Sequence, residues 1–135
     1  MNDAEFLAAL EDTTLPPAEF GHAGHVRAAY LYLRTADFPT ALARIRASIR
    51  RYAEALGQPD RYHETITVAY TALINQHMQT RGPAADWLEF ITANPELLDK
   101  KLLTHFFSPE VLASDFARRV FVLPQRPVAE ATQLR

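Results

Sequence analysis

The chain contains no cysteine, and that absence removes disulfide bridges, thiolate metal sites and cysteine nucleophiles at once. Glycine is scarce, with four in 135 residues, and no phosphate-cradling loop or dinucleotide fingerprint is present. No run approaches the roughly 20 consecutive apolar residues that a membrane-spanning helix requires. The N-terminal Met1-Asn2-Asp3-Ala4-Glu5 lacks the basic stretch ahead of an apolar one that marks a secretory signal. Charge of one sign is missing too. Fourteen basic residues against sixteen acidic ones leave a formal charge of −2, which offers no electrostatic footprint for nucleic acid or an anionic membrane surface. These absences lead us to expect a cytoplasmic protein that works on neither nucleic acid nor membrane.

What remains has the composition of an ordinary globular domain, 48% hydrophobic and 22% charged. At this length one hydrophobic core suffices, and the expected division is one domain over 1–124 followed by a polar, flexible tail over 125–135. The apolar residues recur with helical period throughout. Phe6, Leu7 and Leu10 mark a first helix, stopped by Asp12-Thr13-Thr14 and then Pro16-Pro17. A second starts near Gly21 and reaches about Arg34, with His22, Val26, Ala29 and Leu33 on one stripe and His25 and Tyr32 at its edge.

The third helix is capped near Asp37, carries Pro39 in its first turn, and stops at Gly57. Its seam is Leu42, Ile45, Ile49, Tyr52, Ala53 and Leu56. Asp60 is the expected cap of a fourth, which reaches about Gln79 with Ile66, Tyr70, Leu73, Ile74 and His77 inward. Arg81-Gly82-Pro83 breaks it and opens a fifth around Trp87, Leu88, Phe90 and Ile91. A short sixth holds Leu97, Leu98, Leu102 and Leu103. Ser108-Pro109-Glu110 starts a last helix through Ala117, and Val120–Leu123 is read as an extended strap. The expected fold is therefore an all-α bundle of six to seven helices.

Chemistry is concentrated in the histidines. Three of the five fall in two compact signatures, Phe20-Gly21-His22-Ala23-Gly24-His25 and Tyr62-His63-Glu64-Thr65. Imidazole titrates near neutrality and is the commonest metal ligand. His22 and His25 lie three apart, so a helix projects them from one face. If the second signature packs against the first, three imidazoles and a carboxylate converge. The candidate catalytic set is therefore His22, His25, His63, Glu64 and Tyr70. The candidate metal set is His22, His25, His63 and Glu64, with Glu19 as the alternative carboxylate, chemically adequate for Zn²⁺, Fe²⁺ or Mn²⁺. The spacing matches neither His-Glu-x-x-His nor the paired Glu-x-x-His of di-iron bundles, since Glu19-Phe20-Gly21-His22 has no second copy.

Bland readings stand beside each of these. A histidine on an apolar face usually just finds a hydrogen-bond partner. A glutamate in a first turn is favoured by the helix dipole alone. Tyr62 and Tyr70 read as core aromatics with one satisfied hydroxyl. Thr67 shares the face of His63 and can orient it or a substrate. His77 and His105 carry no signature, and Arg27 is only a weak anion-binding candidate. The arginines of the third helix read as a solvated face.

The strings Phe20-x-His22-x-x-His25, Tyr62-His63-Glu64-Thr65, Asn94-Pro95-Glu96-Leu97-Leu98 and Ala117-Arg118-Arg119-x-Phe121-x-Leu123-Pro124 resemble a family of small uncharacterised bacterial proteins. The resemblance runs roughly from Phe6 to Pro124. It implies a compact helical domain and brings no activity, substrate or cofactor with it. Two expectations follow from the residues themselves. One is a small enzyme acting on a small molecule in an intra-bundle pocket, by metal-assisted or histidine acid–base chemistry. The other is a non-catalytic helical module that binds a small ligand or a protein partner, its histidines being structural. Oligomeric state is open at this point, a homodimer included.

Overall fold

A computed structural model describes residues 1–125 of the chain; the polar tail expected beyond Pro124 lies, apart from Gln125, outside the described residues. Those residues form seven α-helices: α1 Asp3–Glu11, α2 His22–Leu33, α3 Phe38–Ala55, α4 Glu64–Arg81, α5 Trp87–Ala93, α6 Pro109–Ala113 and α7 Asp115–Arg119. Short 3₁₀ turns at Pro17–Glu19, Pro59–Arg61, Pro95–Leu98 and Leu102–His105 join them, the first three each opened by a proline. There is no strand among the described residues, and no described helix is long and apolar enough to cross a membrane.

The helix starts follow from the caps. Asn2 and Glu5 exchange the reciprocal bonds of a capping box at α1. Asp37, Asp86 and Ser108 each accept from a backbone N–H in the first turn of α3, α5 and α6. Gly57 follows α3 with φ +71°, a left-handed stop that glycine takes without strain.

The central element is α2. Eight of its twelve residues are buried, without interruption from Ala28 to Leu33. It packs on α1, α3, α4 and α5 together, so a one-sided stripe is too narrow a description. The sequence Ala28-Ala29-Tyr30-Leu31-Tyr32-Leu33 is apolar all round, which suits a helix enclosed by others. The buried face of α3 is likewise turned from the expected seam. Ala41 and Ser48 are buried with Ile45, Ile49, Tyr52 and Ala53, while Leu56 is 43% exposed. Ser48 is satisfied there by the Tyr32 hydroxyl at 2.7 Å.

Two boundaries differ from expectation for local reasons. Asp60 lies inside the Pro59–Arg61 turn, and α4 begins at Glu64 with His63 as its cap. The last helix is two, because Ser114 leaves helical geometry at ψ 146° and caps α7 through Ala117 N. The strap after α7 is extended and is stitched to α4 by Thr65, which is fully buried. The Thr65 hydroxyl donates to Val120 O at 3.0 Å and accepts from Val122 N at 3.2 Å. Thr65→Val keeps the shape but leaves both strap groups unpaired. It should cost about 1–2 kcal/mol in urea unfolding, with the loss seen first as faster amide exchange at Val122.

Candidate functional site

His22 and His25 open α2 one turn apart, and both line a cavity of about 350 Å³. Its apolar wall includes Val26 and Ala29 of α2, Ile45 and Ile49 of α3, and Ile66 and Ile74 of α4. Tyr70, Thr67 and Thr71 add hydroxyls, and the exposed cations Arg61 and Lys100 also line it. Among the described residues no carboxylate lines it. A second cavity of about 310 Å³, toward Tyr52 and Leu56, shares Phe20, Gly21, His25, Ile49 and Arg61 with the first.

The two histidines differ in occupation. The Nε2 of His22 donates to the carbonyl of Leu97 at 3.0 Å, and its ring meets Tyr70 edge-on at 4.9 Å. His25 makes no side-chain hydrogen bond among the described residues and lies flat on Phe20, with ring centroids 4.1 Å apart and an interplanar angle of 21°. Burial, helped by the nearby His22 and Arg61, pulls its pKa down to about 4. The ring is thus neutral at pH 7, with one N–H to give and one lone pair to receive with.

Gly24 makes this arrangement possible. A Cβ built there would lie 2.5 Å from the carbonyl oxygen of Glu19 and 3.2 Å from the Phe20 ring. Only glycine lets the Pro17–Glu19 turn come so close to α2, and that turn delivers Phe20 to His25. Gly21, by contrast, meets nothing within 4 Å of its would-be Cβ. Gly21 is also the N-cap of α2, with no side chain capping the helix and no acidic residue in its first turn.

The second signature goes elsewhere. His63 caps α4, its Nδ1 accepting from Ile66 N at 3.1 Å, while its Nε2 donates to Leu112 O at 2.7 Å. Both ring nitrogens are used, so the imidazole has no lone pair left for a metal. Glu64 accepts from the Tyr62 hydroxyl at 2.5 Å and from Arg46 Nε at 3.0 Å, with Arg50 at 3.9 Å. Burial pushes its pKa up, but Tyr62 and the two arginines outweigh that and hold the carboxyl below its ordinary range. The structure therefore brings His22, His25 and Tyr70 around one cavity and does not bring His63 or Glu64 to it. Among the described residues no three His, Asp or Glu side chains are grouped to hold a metal ion.

The Tyr70 hydroxyl donates to Asp99 O at 2.8 Å, and burial, with the Asp99 charge behind it, raises its pKa to about 12. It is a fixed donor in use, not a proton carrier at neutral pH. His77 is spanned by Leu73 O at 2.8 Å and the Glu96 carboxylate at 3.0 Å, and Arg27 is paired with Asp3 at 2.7 Å. Residue periodicity gave no hint of Arg61 or Lys100, since neither lies in an α-helix.

Fold and site together define an all-α protein with a cavity walled by histidine and cations between its three central helices. The chain matches no protein-family model, and no curated protein or solved structure is detectably similar to it.

Proposed function

We propose that this chain binds a small molecule in the cavity between α2, α3 and α4, and that the His25 imidazole is the polar group the molecule meets. One observation carries the reading. His22, His63 and His77 all place ring nitrogens on protein partners, whereas His25 lines the cavity with neither nitrogen bonded among the described residues. A neutral imidazole beside an apolar wall can orient a ligand, because a hydrogen bond made there is partly shielded from water.

The same ring supports acid–base catalysis as a second reading. It is in the basic form at pH 7, and its weak basicity comes from burial and from positive neighbours. A substrate that brings negative charge removes the second cause and makes the ring a better proton acceptor. A metal-assisted version needs a third protein donor beside His22 and His25. Among the described residues the cavity wall supplies no carboxylate and no further imidazole, and His63 and Glu64 would have to leave their present partners.

Ligand-observed NMR with a small-fragment collection tests the proposal. Fragments that bind should compete with one another. Gly21→Leu, which adds bulk at a residue lining both cavities where a Cβ meets no neighbour, should weaken them by about tenfold or more, equivalent to 1.4 kcal/mol. Retained helical content by circular dichroism shows that the variant is folded. Fragments that ignore Gly21→Leu, or a screen with no binder at all, would overturn the reading.

A further inference from the structure

We propose that the molecule taken by this cavity is an amphipathic carboxylate, its charged end held by Arg61, His25 and the first turn of α2, and its apolar body lying along Val26, Ile45 and Ile74. The inference rests on the small-molecule reading above and names the chemical class.

Three independent observations converge on an anion. The N-terminus of α2 is twelve residues of aligned peptide dipoles ending at a glycine that offers no capping side chain, with no aspartate or glutamate in the first turn to stand in. The other long helices are served differently: Asp37 caps α3 and His63 caps α4. Uncapped N–H groups and a positive dipole end favour a carboxylate. Next to that end lies His25, largely buried and without a hydrogen-bond partner among the described residues, which can donate its N–H to the same anion. Arg61 lines the cavity too, and among the described residues its only side-chain bond is to the neutral amide of Gln58, at 2.9 Å. A guanidinium with no carboxylate partner among the described residues, beside a wall whose described residues include none, is the third element.

The apolar wall decides against a small inorganic ion. Valine and isoleucine side chains from three helices contribute dispersion and hydrophobic contact only to a ligand with a hydrocarbon part. Lys100 lines the same cavity and adds positive charge. The Asp99 charge reaches Tyr70 on the α4 wall. The charged groups that act on His25 are His22 on its own helix and Arg61 from the Pro59–Arg61 turn; Lys100, Tyr52, Tyr62 and Tyr70 are the other titratable side chains lining the two cavities it borders.

The experiment compares hexanoate, 1-hexanol and hexylammonium by ¹H–¹⁵N chemical-shift titration of the intact chain. Hexanoate should move Gly21, His22 and His25, with affinity about tenfold or more above hexanol, as expected for charge-assisted bonds in place of neutral ones. Hexylammonium should not bind. Arg61→Gln, an exposed substitution that leaves the core untouched, should remove most of the preference of hexanoate over hexanol. The titration midpoint of the His25 ring, about 4 without ligand, should rise when hexanoate is bound. Equal binding of hexanol and hexanoate would leave the small-molecule pocket standing and overturn the anion. Failure of both to perturb the cavity residues would overturn the two together.

Discussion

Gly24→Val is expected to destabilise the protein by about 3 kcal/mol, at the upper end of what forced overpacking costs. The sign is what makes the result informative. Glycine inside a helix is normally a liability of up to about 1 kcal/mol, so a substitution judged on helix propensity alone should stabilise α2. Against that stands the Glu19 carbonyl oxygen, 2.5 Å from the position of a Cβ, and the Phe20 ring at 3.2 Å. A backbone oxygen has no rotamer to escape through. The Pro17–Glu19 turn must therefore move away from α2, taking Phe20 off the His25 ring. Gly24→Ala should show the same sign with a smaller magnitude. Chemical denaturation of the two variants gives the energies, and ring-current shifts at His25 report whether the stack has opened. A Gly24→Ala protein as stable as wild type, with its His25 shifts unchanged, would show that the close approach does not constrain the site.

The turn that Gly24 accommodates also shows where sequence reading succeeded. Two histidines three apart on a helix share a face by geometry alone, so His22 and His25 were legible as a pair. So were the caps built from ordinary capping residues: Asp37 before Pro39, Ser108 before Pro109, and the stop at Gly57. His63 was not. Asp60 is the better intrinsic cap, but the Pro59–Arg61 turn uses it up and leaves His63 to meet Ile66 N, an outcome set by the chain's path from α3. Once its Nδ1 is bound there, the other nitrogen falls on Leu112, and the ring is turned from the cavity that holds His22 and His25.

Burial faces were harder to read than element types, and the cause is again tertiary. Ala41 and Ser48 are buried on α3 in preference to Leu42 and Leu56 because Tyr32 supplies Ser48 with a hydroxyl partner. Small side chains there let the enclosed α2 come close. The cations of the cavity were invisible for a different reason. Arg61 sits in a 3₁₀ turn and Lys100 between two such turns, where hydrophobic periodicity carries no information about direction.

His25 itself should leave a distinct mark on acid stability. Its folded pKa is about 4 against an unperturbed value of 6.5, because burial, then His22 and Arg61, disfavour the imidazolium. Above pH 6.5 the ring is neutral in both folded and unfolded chains and costs nothing. Between pH 6.5 and 4 the unfolded chain binds a proton that the folded one refuses, so stability falls as pH falls and the loss is complete below about 4. Two and a half units at 1.36 kcal/mol each amount to about 3 kcal/mol. Carboxylates such as Glu64 and Glu96, whose folded pKa values are lowered, also lose their contribution in acid, but their window begins near 4.5 and lies below. His25→Phe separates the two effects. The phenyl ring keeps a flat face on Phe20 and has no proton to bind, and the adjoining cavities give it room. Urea unfolding from pH 7.5 to 3 should therefore show a steep loss for wild type and a much flatter line for His25→Phe down to about pH 4.5, with the curves becoming parallel only below about pH 4. Parallel curves over the whole range would mean that the ring takes up its proton in the folded state as readily as in water, and the account of a buried, neutral and uncommitted His25 would fall.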